Sequence, residues 1–420
     1  MVQTLQLSPG VTLRCFRDTR FKQGCLSIQL LRPVVREEVA LNALIPAVLL
    51  RGTTAYPDLR QITLRLDELY GASTGALVRK VGDLQTIGIY GSFLDDRYAL
   101  EGGNILRSMI DFMAQLLLDP LLEDGRFCEE FVESEKRNLI LAIQSNLNDK
   151  RQYAASQLLK HMCSSDALGI PRLGEETQVA AITAQSVYEH YRNILRASPV
   201  LLFYVGSQEP EQVAALLTPL VSRLAQDPIA LPSQTPFRDP AGGTHTEQME
   251  VSQGKLCMGF TTPITMESPD FAAMQVCNSM FGSGMTSKLF MQVREKLSLC
   301  YDIGSAYRGT KGILTVAAGI DFGQKDAVIG QIRQQLEACC KGDFTVEELE
   351  SARQGLLTQL ESVHDSPGAI ENYYATGILS GLNRTPSQYM EQVRAVTAEQ
   401  VARVARTVTE HTIYFLRGER

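Results

Sequence analysis

Gln23-Gly24-Cys25-Leu26-Ser27-Ile28-Gln29-Leu30 and Gln253-Gly254-Lys255-Leu256-Cys257-Met258-Gly259-Phe260 are the two stretches on which the reading of the fold turns. Each is a Gln-Gly pair followed by a mainly apolar run suited to a strand, and 253 − 23 gives an offset of 230. A mainly apolar helix then ends at Arg51-Gly52 in the first copy and at Phe281-Gly282 in the second, and 282 − 52 is again 230. Further on, Glu133-Ser134-Glu135-Lys136 with Leu139-Ile140 recurs as Glu350-Ser351-Ala352-Arg353 with Leu356-Leu357, at 350 − 133 = 217. Ile182-Thr183-Ala184-Gln185 with Val187 returns as Val396-Thr397-Ala398-Glu399 with Val401, at 396 − 182 = 214. In both copies a threonine, a good helix N-cap, starts a helix that leads to a last strand, Leu201 to Gly206 and Thr412 to Gly418. Matches in one order with a steadily falling offset describe a duplicated domain.

The boundary falls where Pro228, Pro232, Pro236 and Pro240 interrupt every periodic element. This gives a first domain over 1–227, a linker over 228–243 and a second domain over 244–420. Residues 97–118, 123–145 and 346–362 carry apolar side chains at helical spacing. Strands followed by runs of helices predict an α+β class, two homologous domains, each a largely antiparallel sheet covered by helices.

Composition narrows the function. With 44% hydrophobic and 21% charged residues the chain is an ordinary folding sequence. A net charge of −7 without a long basic run gives no footprint for nucleic acid. The most apolar run, Ala40 to Leu50, is too short for a bilayer, and Met1 to Arg17 has no charged start followed by an apolar core. The expectation is a cytoplasmic chain with no membrane partner. The nine cysteines include no Cys-x-x-Cys pair and read as buried, reduced thiols. His161, His190, His245, His364 and His411 lie far apart in sequence, so no metal site and no cofactor is expected. His364, before Ser366-Pro367, reads as a surface group near a helix C-terminus.

The repeat, the helix ending at Arg51-Gly52-Thr53 and the segment Val293-Arg294-Glu295-Lys296 resemble the pitrilysin/insulinase zinc peptidases over nearly the whole chain. Those enzymes carry His-x-x-Glu-His on the first apolar helix and a further glutamate on a later one. Two histidines four apart share a helical face, the acid between them polarises water, and the distant carboxylate completes an open zinc site. Alignment on Arg51-Gly52-Thr53 puts Ala43, Pro46 and Ala47 at the first three positions, and alignment on Glu135-Lys136 puts Ala142 at the last. The resemblance thus implies a degenerate zinc site and no catalytic residue. Proline is a poor interior helix residue, so the helix either starts after Pro46 or bends there.

The second half keeps more. Arg294 and Tyr301 match an arginine and a tyrosine that the family projects toward substrate, where both are strong donors to a peptide carbonyl. Their plain structural alternative is a helix-end cation and an amphipathic strand residue. Gly282-Ser283-Gly284-Met285-Thr286-Ser287-Lys288 stands where related processing peptidases carry a substrate-touching glycine loop, which makes Gly282 and Gly284 candidates. The spacing is not that of a phosphate loop, and the alternative is a helix C-cap followed by an N-cap at Thr286. The resemblance therefore implies an inactive, peptide-binding subunit whose partner is a zinc-bearing His-x-x-Glu-His paralogue, or a homodimer. The rival is a structural or binding protein of the same fold, comparable to the core subunits of respiratory complex III. No triad, carboxylate dyad or nucleotide loop supports an independent enzyme.

Overall fold

The computed structural model describes residues 2–239, 242–382 and 384–418. Pro240 of the expected linker lies outside the described residues, and residues 228–239 carry no helix or strand. Two compact units emerge from the contacts. One gathers the chain up to Gln144, Pro171–Ser233 and His364–Thr376, and the other Ser145–Ile170, Gln234–Val363 and the chain from Gly377. The units therefore do not follow a single cut at the linker.

In chain order the first half forms β1 (Val2–Ser8), β2 (Val11–Arg17), β3 (Gln23–Pro33), α1 (Val39–Leu49), α2 (Leu59–Glu68), β4 (Ser73–Val81), β5 (Leu84–Leu94) and α3 (Ile105–Leu118). A short hairpin, β6 (Leu122–Glu123) and β7 (Arg126–Phe127), leads to α4 (Glu129–Asn148) and α5 (Lys150–Met162). Then come α6 (Glu176–Ala180), α7 (Ala184–Ala197), β8 (Val200–Gly206) and α8 (Pro210–Val221). The second half forms β9 (Gly243–Gln248), β10 (Gly254–Thr261), α9 (Phe271–Asn278), β11 (Asp302–Arg308), β12 (Ile313–Ile320) and α10 (Lys325–Lys341). It closes with α11 (Val346–Glu361), α12 (Pro367–Leu379), α13 (Pro386–Arg394), α14 (Ala398–Ala405) and β13 (Thr409–Arg417).

One sheet runs β1-β2-β8-β3-β5-β4 and the other β11-β12-β10-β13-β9. With β1 set aside, the first order read backwards is the second, strand for strand. Each sheet is antiparallel except for one parallel pair, β2 with β8 and β13 with β9. The α+β architecture of two like domains is thus present in the topology as well as in the sequence repeat. Thr183 and Thr397 cap the helices before β8 and β13, each accepting the N–H three residues on, from Ser186 at 3.1 Å and from Gln400 at 3.2 Å.

Alternation along β3 explains how the first sheet is covered. Leu26, Ile28 and Leu30 join the large apolar core with residues of α1, α3, α7 and α8. Ser27 and Gln29 point to the opposite face and donate to Glu371 of α12, at 2.7 and 3.0 Å. Arg79 of β4 completes this site with bonds of 3.0 and 2.7 Å to the two Glu371 oxygens. The corresponding face of the second sheet is covered by α5, whose Ala154 and Leu158 pack with Cys257, Tyr414 and Leu416. The two covering helices are themselves repeat equivalents, since 367 − 150 = 217, the offset already seen at Glu133 and Glu350. Each half of the sequence supplies a helix to the unit built mainly by the other.

Three local expectations change. The helix expected over 97–118 begins at Ile105, because Gly102 takes a φ of 71° and the stretch before it forms short tight turns. The helix expected from Glu123 begins at Glu129, because Asp124 and Gly125, with φ of 50° and 76°, close the β6–β7 hairpin. Helix α1 starts at Val39, well before Pro46, which lies inside it. The later start is therefore overturned, and Pro46 leaves the Asn42 carbonyl without its i→i+4 donor.

Candidate functional site

Two places bear on function, one in each unit. In the first, α1 is apolar and enclosed: Ala43 and Pro46 are buried and Ala47 is partly buried. Its one buried polar side chain, Asn42, is committed to structure. The Asn42 amide donates to Gln85 Oε1 at 2.9 Å, and its carbonyl oxygen lies 2.8 Å from His190 Nε2. Burial holds the His190 pKa below its ordinary value. On α4, Glu135 meets Arg51 at 3.2 Å just past the end of α1, and the Arg51 guanidinium covers the Phe131 ring at 5.4 Å. Ala142 lies two turns beyond Glu135 on the same helical face and is exposed. Ala43, Pro46, Ala47 and Ala142 offer no side-chain nitrogen, oxygen or sulfur, so these positions do not fit a zinc ion.

In the second unit the chain loosens at the equivalent place. Helix α9 passes at Ser279–Ser283 into a wide turn of the π type, and a second wide stretch follows over Leu289–Lys296. The Leu297 N–H reaches the Gln292 carbonyl, five residues back, at 3.1 Å. Such widened turns are rare in soluble proteins and gather at functional sites. Within the first of these, Gly282 approaches β11 so closely that a Cβ there would stand 2.7 Å from both Leu289 Cδ1 and Ser305 Oγ. A Cβ at Gly284 would meet only Thr286 Oγ1, at 4.0 Å. Thr286 does not act as the expected N-cap: the Phe290 N–H is met by Ser287 Oγ at 3.4 Å.

Gly282, Gly284, Arg294 and Tyr301 all line one cavity of about 530 Å³ in this unit. Arg294 and Tyr301 are in direct contact, with Arg294 Nε donating to the Tyr301 carbonyl at 2.9 Å. The guanidinium lies over the Phe290 ring at 4.6 Å, and its Nη1 pairs with Glu295 at 3.1 Å. The Tyr301 hydroxyl donates to Asp321 Oδ1 at 2.9 Å, and that carboxylate raises the phenol's pKa. Tyr301 is 58% exposed, and Met285 at the rim is 77% exposed.

Sequence reading missed other members of this wall. Arg151 comes from α5, and Asp302, Gly304, Ala306 and Arg308 come from β11. The alternation along β11 was available in the sequence, but the contribution of α5 from the other half was not. Two histidines read as separate do meet: His161 and His245 stack with ring centroids 4.0 Å apart. Burial, then the neighbouring His245, lowers the His161 pKa. Among the described residues no group of three or more His, Cys, Asp or Glu is arranged to hold a metal. None of the nine cysteines is joined in a disulfide, and eight of them are buried. His364 is half-buried with its ring 6.1 Å from that of Phe16.

Comparison with known proteins gives these two places a lineage. The model of the family described as "Peptidase M16 inactive domain" matches residues 181–356. The "Probable inactive metalloprotease YmfF" of Bacillus subtilis is 28% identical over 409 residues, 97% of this chain and 96% of its own. Over residues 181–356 the chain is similar to an inactive M16 peptidase domain, and over nearly its whole length to a probable inactive metalloprotease. The M16 likeness extends to solved structures. A conserved protein from Enterococcus faecalis superposes with a TM-score of 0.92 at 28% identity, covering 100% of this chain and 99% of that one. A peptidase M16 inactive domain from Pseudomonas fluorescens shows the same fold, with a TM-score of 0.82 at 17% identity and coverage of 100% and 98%. Among the described residues no helix of this chain is long and apolar enough to cross a membrane.

Proposed function

We propose that this chain is the zinc-less, peptide-binding subunit of a two-chain peptidase, working in the cytoplasm beside a zinc-bearing His-x-x-Glu-His paralogue. The observation that carries the reading is the convergence of Arg294, Tyr301, Gly282 and Gly284 on one cavity, while Ala43, Pro46, Ala47 and Ala142 are stripped of donors. Exposed Met285, Met291 and Leu297 accompany Tyr301 on this loop and the following wide turn, an apolar surface suited to an extended peptide. Arg294 keeps free N–H groups beyond those used on Tyr301 and Glu295, enough to hold a peptide carbonyl.

One observation favours the rival reading of a structural or binding protein. The Tyr301 hydroxyl already donates its proton to Asp321, so it serves a ligand as a donor only if that bond opens. A single experiment separates the two. Zinc-dependent peptide hydrolysis is measured for this chain alone, for a His-x-x-Glu-His relative from the same organism alone, and for the mixture, with Arg294→Ala and Tyr301→Phe as controls. Activity confined to the mixture and lowered by both substitutions supports the subunit reading. No association and no gain in activity moves the assignment to the structural role.

A further inference from the structure

We propose that the cavity of the second unit is a carboxylate-binding site that selects acidic extended peptides through Arg308 and Arg151. The proposal rests on the peptide-binding reading above and adds the chemical class of the peptide. Alternation along β11 places Ser305 and Tyr307 toward α9, where Ser305 Oγ donates to Asn278 Oδ1 at 2.8 Å and Tyr307 packs near Phe271. Asp302, Gly304, Ala306 and Arg308 take the other face, with Arg151 and Ala155 of α5. At about 3.3 Å per residue, Asp302 and Arg308 stand about 20 Å apart, the reach of a short extended peptide. Between them Gly304, Ala306 and Ala317 leave the floor low.

The charge of the wall is unbalanced. Three arginines, Arg151, Arg294 and Arg308, face a single lining carboxylate, Asp302. Arg151 and Asp302 are held loosely, 3.8 Å apart, and 55% of the Arg151 side chain is exposed. Arg294 has Glu295. Arg308 is half-buried and has no side-chain hydrogen bond or ion pair among the described residues. Its burial lowers the guanidinium pKa, the mark of a cation taken from water without an anion to replace it. A guanidinium in that state gains from a bound carboxylate twice, through the charge-assisted bonds and through relief of its desolvation. Arg151, at the other end of the groove, offers a second carboxylate a partner in more water, where the gain is smaller.

The test is calorimetric titration of the full chain with three versions of one short peptide. The first carries glutamates and is blocked at both ends, the second replaces each glutamate by glutamine, and the third is the glutamine peptide with a free C-terminal carboxylate. The glutamate peptide is expected to bind about tenfold or more tightly than its glutamine isostere. Arg308→Met is expected to remove that difference, and Arg308→Lys to restore part of it. A preference confined to the free C-terminus also supports the site, assigning it to chain ends. Equal affinity for all three peptides overturns the proposal and leaves the peptide-binding reading standing. A glutamate preference that survives both Arg308→Met and Arg151→Gln overturns this site. Failure of all three peptides to bind overturns both readings, whereas acidic binding without activity in the mixture leaves the carboxylate site intact and removes the two-chain role.

Discussion

Helix α1 and helix α9 hold the same place in the repeat and have diverged in opposite directions. Around α1 the chain is closed: apolar on nearly every side, its one buried amide spent on Gln85 and His190, and its surface smoothed to Ala43, Pro46 and Ala47. Past α9 the chain is open, with two wide turns, a glycine held against β11, and arginine, tyrosine and methionine at a cavity. A duplicated fold lets one copy lose its polar groups and gain packing while the other keeps costly backbone irregularity. Irregular turns are retained where something other than stability favours them.

The largest test of this contrast concerns how the first unit is closed. Glu371→Ala leaves Arg79 without its carboxylate and Ser27 and Gln29 without their acceptor, and is expected to destabilise the protein by about 3–5 kcal/mol. Denaturant unfolding measures it, and a loss under about 1 kcal/mol would show that α12 is not what seals that face. Next comes the glycine loop. A bulky residue at Gly282 must displace Leu289 or Ser305 and is expected to cost about 1–3 kcal/mol, whereas Gly284→Ala comes no nearer than 4.0 Å to Thr286 Oγ1 and should be nearly neutral. Equal effects at the two glycines would dissolve the claim that the loop is fitted to β11.

Acid supplies a smaller effect in both units. His190 and His161 have folded-state pKa values below their ordinary ones, so the unfolded chain binds protons more readily. Their contribution to stability is complete above the unfolded value near 6.5 and is lost as the pH falls from there toward the folded values. His190→Gln should flatten the acid limb of a stability profile more than His161→Asn, because His190 is the more deeply set. Smallest of all, Arg294→Ala and Tyr301→Phe should leave the melting temperature unchanged. A clear loss of stability in either would favour the structural role over peptide contact.

Much of this was legible in one sequence because duplication leaves landmarks that local physics fixes twice. The Gln-Gly strand starts at 23 and 253 and the capping threonines at 183 and 397 all recur in the two sheets with their order intact. The Asp124-Gly125 turn is equally local, but the helical periodicity that follows it draws the expected helix boundary outward. The wide turns after α9 have no periodic signature at all, since their backbone geometry is set by the approach of Gly282 to β11 rather than by a pattern of apolar residues. Arg308 could be assigned to a strand face by counting in twos, but its lack of a partner is a property of the folded surroundings. The crossing of α5 and α12 between units was invisible for the same reason: both look like ordinary helices of their own half.

That crossing sets a timetable. Arg79 and Glu371 are separated by 292 residues, and the polar face of β3 stays uncovered until α12 has left the ribosome. At about 5–20 residues per second the delay is roughly 15–60 s. During that interval the first sheet exposes Ser27, Gln29 and an unpaired arginine where a domain finished by its own half would already be shut. The early polypeptide is therefore an unfinished object, and anything that guards nascent chains has its window there.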